Sequence, residues 1–280
     1  MLRGLTQAGL GEIGSIERYI ALAAQYEFQA VDLDAKAFID STGGEAAAKT
    51  LLQEHGIMIG SIGLPVQWRT TEEQFQQDLV QLAEHAAAAA ALGCRSCCTY
   101  ILPSTDENAA HFMAVATRRL RICAEVLDAY GIRLGLEFVG PHHLRTRWKN
   151  PFIWTLQETL DWIEAINSRN VGLLFDAYHW YTTGLTTADI MKLRPEQIVH
   201  VHINDAPPVP VEEALDNGRL YPGEGVIDLT GFLKALKQIG YQGVVAQEIL
   251  MQAPPADPLE AVLQRSKAGF DKVFHAADLT

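Results

Sequence analysis

The chain has 280 residues, 48% of them apolar and 20% charged, and carries a formal net charge of −12. That mixture excludes a disordered or low-complexity protein, and the acidic balance argues against a nucleic-acid partner, whose phosphates reward a basic face. The opening MLRGLTQAGLGEIG holds one Arg and no long apolar stretch, and the longest apolar run, Ala86 to Leu92, falls far short of a membrane span, so a cytoplasmic protein with no membrane partner is expected.

In chain order, short apolar runs alternate with amphipathic ones. Strands are predicted at 4–10, 30–33, 58–64, 96–102, 133–139, 171–175, 198–203 and 243–249. They are short and largely apolar, as strands buried on both faces should be. Between them, helices are predicted over 71–92, 107–130 and 156–167, with Thr70-x-x-Glu73 and Thr155-x-x-Glu158 reading as capping boxes. One joint recurs: an amphipathic run ends in Gly and a β-rich run follows, at Gly56, Gly93, Gly131 and Gly240. Glycine there closes a helix in the left-handed conformation at little steric cost.

This repeating pattern predicts a single (β/α)8 TIM barrel over residues 1–280, an α/β fold, with an open doubly wound sheet as the alternative. No G-x-G-x-x-G follows the first strand, which weakens a dinucleotide-binding reading. Cys94-x-x-Cys97 has no second pair to complete a zinc site, and with Cys98 and Cys123 it reads as buried thiols.

Four apolar strands in the second half end on residues able to bind metal. Leu134-Gly-Leu-Glu137, Gly172-Leu-Leu-Phe-Asp176 and Val244-Val-Ala-Gln-Glu248 end on carboxylates, and Val199-His-Val-His202 ends on an imidazole. In an α/β barrel those ends converge on one face. Burying three carboxylates together is prohibitive without a compensating cation. Three oxygens and one nitrogen suit one divalent ion, Mn²⁺ or Mg²⁺ first, with Co²⁺ or Zn²⁺ compatible.

The run Glu137 … Asp176-Ala-Tyr-His179 … His200-Val-His202-Ile-Asn-Asp205 … Glu248 resembles the xylose isomerase-like TIM-barrel superfamily. That group includes sugar phosphate isomerases/epimerases, ketose 3-epimerases, inosose dehydratase and endonuclease IV. The resemblance implies a metal on Glu137, Asp176, His202 and Glu248, proton transfer by Glu137 and Glu248, and substrate contact by His179. The chain departs from the epimerase pattern His-x-x-Glu-x-x-Arg, reading His202-Ile-Asn-Asp205-Ala-Pro-Pro208 instead. Arg219 is therefore the candidate for binding substrate oxygens, with Arg145 and Arg147 as competitors in a 141–151 loop that could act as a lid. Trp68 and Trp180 are candidates for packing against a sugar ring, or for core. Asp205 either supports a metal ligand or caps the next turn.

The expected function is a metal-dependent isomerase or epimerase of a ketose-like sugar, sugar phosphate or polyol, working through an enediolate. Dehydration of a cyclic keto-polyol, of inosose or dehydroshikimate type, is the alternative. An endonuclease IV-like nuclease and a non-catalytic polyol-binding protein rank lower. The expected partner is a small sugar or polyol, and a homo-oligomer is left open.

Overall fold

A computed structural model describes residues 1–279. The strands are β1 (Leu2–Leu5), β2 (Ala30–Val31), β3 (Met58–Ile59), β4 (Ile62–Gly63), β5 (Ser96–Ile101), β6 (Ser104–Thr105), β7 (Arg133–Phe138), β8 (Asn150–Pro151), β9 (Val171–Asp176), β10 (Ile198–Ile203) and β11 (Val244–Gln247). Nine of them run in the order β3-β2-β1-β11-β10-β9-β7-β5-β4, every pair parallel. β3 and β4 are two short pairings on one stretch of chain, β3 with β2 and β4 with β5, so that stretch closes the circle and makes the (β/α)8 barrel.

The apolar strands behave as their composition requires: every residue of β9 (VGLLFD) and β10 (IVHVHI) is buried. Outside them pack the helices Glu72–Ala91, Ala109–Ala129 and Leu156–Ile166, within a few residues of the predicted spans. Ala86 and Ala89 are fully buried, which explains the alanine run as close packing of a helix onto the barrel. The Gly joints are left-handed at Gly56, Gly93, Gly131 and Gly240.

Four local expectations need correction. The first strand lies earlier than 4–10 and stops at Leu5, because Gly9 (φ +77°) and Gly11 (φ +75°) turn the chain into a loop. The last strand ends at Gln247, which leaves Glu248 just beyond it and pointing into the barrel mouth's acidic group. Thr71, not Thr70, caps the helix at 72–91, accepting from Gln74 N, whereas Thr155 and Glu158 do form a capping box. The 141–151 segment is tied down: it holds the short helix His142–Arg145 and then β8, which pairs antiparallel with β6. Among the described residues, no helix is long and apolar enough to cross a membrane.

Candidate active site

Strand register builds the site. Asp176 and His202 are partners across β9 and β10, and the neighbouring strands β7 and β11 bring in Glu137 and Glu248 from either side. Asp176 is fully buried. One of its oxygens accepts from Tyr178 N at 2.6 Å and the other from Arg219 Nη1 at 2.9 Å. The Asn204 amide, donating to both oxygens at 3.1 Å, holds the carboxylate flat. The same Arg219 nitrogen donates to Glu248 Oε2 at 2.8 Å, and Nη2 donates to Asp216 Oδ1 at 2.8 Å.

His202 Nδ1 faces this group, 3.5 Å from Glu248 Oε2, 3.9 Å from Glu137 Oε1 and 4.0 Å from Asp176 Oδ2. The four candidate ligand atoms all lie within 4.8 Å of one another. Burial, then the charges of Glu248 and Asp176, push the Glu137 carboxyl well above the usual carboxylate range. Burial acts on Glu248 in the same direction, but the His202 and Arg219 charges outweigh it and hold Glu248 low. Arg219 is raised because the acidic groups around it, Asp176, Asp216 and Glu248, overcome its own burial.

A divalent cation fits here on two counts. Four carboxylates, at Glu137, Asp176, Asp216 and Glu248, face only the Arg219 guanidinium and the His202 imidazole, so acidic groups outnumber basic ones. Glu137 Oε1 and His202 Nδ1 are buried with no hydrogen-bond partner, although buried polar atoms are almost always paired. Both face the same point, and both are good ligand atoms.

A second group lies behind the ring. Asp32, just past β2, accepts from His200 Nε2 at 2.8 Å and His202 Nε2 at 3.3 Å through the same oxygen. Sequence reading missed Asp32. The available signal was a carboxylate at the end of the second predicted strand, together with His200 and His202 two apart on β10, hence on one face.

A cavity of about 470 Å³ opens onto Glu137, His202 and Glu248, and its wall includes Thr6, Gln7, Asp32, Asp34, Thr99 and Tyr100. The three residues expected to touch substrate are not on that wall. His179 is buried behind Glu137, its Nε2 3.9 Å from Glu137 Oε1 and its Nδ1 accepting from Gly140 N at 3.3 Å. Burial lowers its basicity. Arg219 is 2% exposed and spends its donors on carboxylates.

Trp68 is buried away from that wall. Its indole packs against Phe112 and Trp162 and donates to Thr99 Oγ1 at 3.0 Å, as part of an aromatic core cluster. Trp180 is core as well, against Phe232. Arg145 holds the Gly140 and Thr182 carbonyls and lies over the Trp154 ring, away from the acidic group. Arg147 lies over the Trp148 ring. Asp205 caps a loop: its oxygens accept from Ala206 N, Gly223 N and Ile227 N.

The family model for the xylose isomerase-like TIM barrel matches residues 20–268. The chain belongs to that family. It is similar to an inosose isomerase of Bacillus licheniformis, 32% identical over 126 residues, which are 45% of this chain and 43% of that protein. It thus spans less than half the length of the inosose isomerases it matches. A solved xylose isomerase domain protein from Alicyclobacillus acidocaldarius superposes with a TM-score of 0.92 at 35% identity, covering 99% of both chains. The IOLI protein with a bound zinc atom shares the fold, with a TM-score of 0.78 at 19% identity and 99% coverage of each chain.

Proposed function

We propose that this family member is a divalent-metal-dependent isomerase or epimerase of a ketose-like, uncharged polyol. The observation that carries the reading is the placement of Glu137 and Glu248 on β7 and just beyond β11, flanking Asp176 and His202, with Glu137, His202 and Glu248 on the wall of one cavity. Two carboxylates on opposite flanks can take a proton from one face of a substrate carbon and return one to the other. Held by Glu137, Asp176, His202 and Glu248, a divalent ion would polarise a substrate carbonyl and offset the carboxylate charge. Mn²⁺ or Mg²⁺ suits this oxygen-rich set best, with Co²⁺ or Zn²⁺ also compatible.

The cavity wall supports the substrate class. Asp32, Asp34, Glu137 and Glu248 line it, and none of the described lining residues is Lys or Arg. A sugar phosphate or a carboxylate substrate would meet like charge there without a pairing cation on the wall. Hydroxyl groups, by contrast, can donate to those carboxylates and to Gln7 and Thr99.

The deciding experiment incubates Mn²⁺-loaded protein with ketohexoses and inososes in deuterated water and follows products by NMR. Deuterium on the carbon beside the carbonyl of an uncharged substrate is expected. A product lacking one water moves the enzyme to the dehydratase reading of the same site. Faster turnover of a phosphate ester than of its parent sugar would overturn the substrate class, and no exchange on any keto-polyol would overturn the reaction.

A further inference from the structure

Nothing in the site as described above accounts for Asp32. It comes from the opposite side of the barrel, the loop after β2, yet reaches the two histidines of β10. Room for it is built into the backbone: at Gly60, between β3 and β4, a Cβ would sit 2.6 Å from Asp32 Oδ1 and 3.3 Å from His200 Cε1. His200 and His202 side chains are 1% and 8% exposed, and that of Asp32 is 14% exposed.

We infer that Asp32 is the positioning residue of the metal centre: by accepting the Nε2–H of His202 it turns the Nδ1 lone pair toward Glu137, Asp176 and Glu248. The chemistry leaves little freedom. A carboxylate only accepts, so an imidazole nitrogen bonded to it must donate. An imidazole that ligates a metal is neutral and has one N–H, so with Nε2–H committed to Asp32, Nδ1 is the nitrogen whose lone pair is left for the ion. That nitrogen is the one buried without a partner, 3.5–4.0 Å from the three carboxylates.

His200 donates to the same Asp32 oxygen at 2.8 Å and so anchors the carboxylate for its neighbour. Hydrogen bonds of this kind to a metal-binding imidazole fix its orientation and strengthen it as a ligand. Asp32, His200 and His202 could together be read as an ion site of their own. His202 serves one centre through Nδ1, however, and a second ion on Nε2 would require stripping its remaining proton.

The inference rests on the proposed metal site, and the test separates the two. Mn²⁺ affinity is measured by EPR titration on wild type, Asp32→Ala, Asp32→Asn and Gly60→Ala. Asp32→Ala is expected to weaken Mn²⁺ roughly ten- to a hundredfold, the usual cost of losing such a supporting contact. Asp32→Asn, which keeps an acceptor but not the charge, should recover part of that loss. Gly60→Ala keeps every ligand and the carboxylate but crowds Asp32, and should lose affinity in the same direction.

In zinc-loaded protein with ¹⁵N-labelled histidine, NMR should show His202 coordinated through Nδ1 and protonated at Nε2. Asp32→Ala should lose the single protonated Nε2 environment. Wild-type affinity in both Asp32→Ala and Gly60→Ala, or coordination through Nε2, would overturn the positioning role and leave the metal site standing. Two ions per wild-type chain would overturn it in favour of a second centre, and no binding by wild type would remove the metal site and this role together.

Discussion

Two acidic groups meet at the His202 ring, and they are built differently. On the Nε2 side one carboxylate faces two histidines: Asp32 Oδ2 takes N–H donors from both His200 and His202, while Oδ1 is buried without a partner. On the Nδ1 side three carboxylates and a guanidinium crowd together, and Glu137 Oε1 and His202 Nδ1 have no partner. The Nε2 side, with two donors on one oxygen, holds a shape. The Nδ1 side, where carboxylates outnumber cations, has a deficit of positive charge and of donors, which is the condition under which a fold retains a bound ion or a reacting group.

The largest expected effect is on turnover. Glu137→Gln and Glu248→Gln keep an oxygen near the ion but remove the base, so at saturating Mn²⁺ the rate on a keto-polyol should fall by about 10²–10⁴-fold. Full activity in metal-saturated Glu248→Gln would remove that residue from proton transfer and break the two-flank account.

Next is stability. Arg219 is the cation holding Asp176, Asp216 and Glu248 together in the interior. Arg219→Met leaves those charges facing one another, and a loss of about 3–5 kcal/mol is expected in urea unfolding of metal-free protein. Added Mn²⁺ should restore part of it by mass action. A variant as stable as wild type without metal would mean that the acidic group is not strained by its own charge.

The smallest effect concerns groups that are buried without any surplus charge to balance. Burial pushes the Cys94 thiol up to about 11 and that of Cys123 up to about 12, from an ordinary value near 9. Burial likewise raises Cys97 well above that value. Because the folded value is the higher one, these thiols favour the fold below pH 9, and that contribution is lost as pH rises from about 9 toward 11 and 12. Alkylation of Cys94, Cys97 and Cys123 in the native protein should therefore stay slow from pH 7 to about 9. A rate climbing through the ordinary thiol range would show that these cysteines are not sealed off.

The same contrast explains which parts were legible in the sequence. β9 and β10 are long and largely apolar, with Asp176 ending β9 and His202 next to the last residue of β10, so both could be read from the chain. β2 is only two residues long, and Asp32 matters through His200 and His202, more than 160 positions away, so no local pattern marks it. Arg219 was visible as a candidate, but its role was not. It reaches Asp176 from a loop pinned by isolated bridges between Asp205 and Leu220 and between Gly218 and Met251. For Trp68 the sequence left core and sugar contact equally open, because an indole serves either, and its packing partners Phe112 and Trp162 come from two helices distant in the chain.

The central claim is that one divalent ion completes the group formed by Glu137, Asp176, His202 and Glu248. Its most direct test is equilibrium dialysis against Mn²⁺ with elemental analysis, on wild type and on His202→Ala, with far-UV circular dichroism to confirm that both are folded. The account predicts about one ion per wild-type chain and its loss in a folded His202→Ala variant. A wild-type chain that retains no ion, or a variant that retains it as tightly, would contradict it.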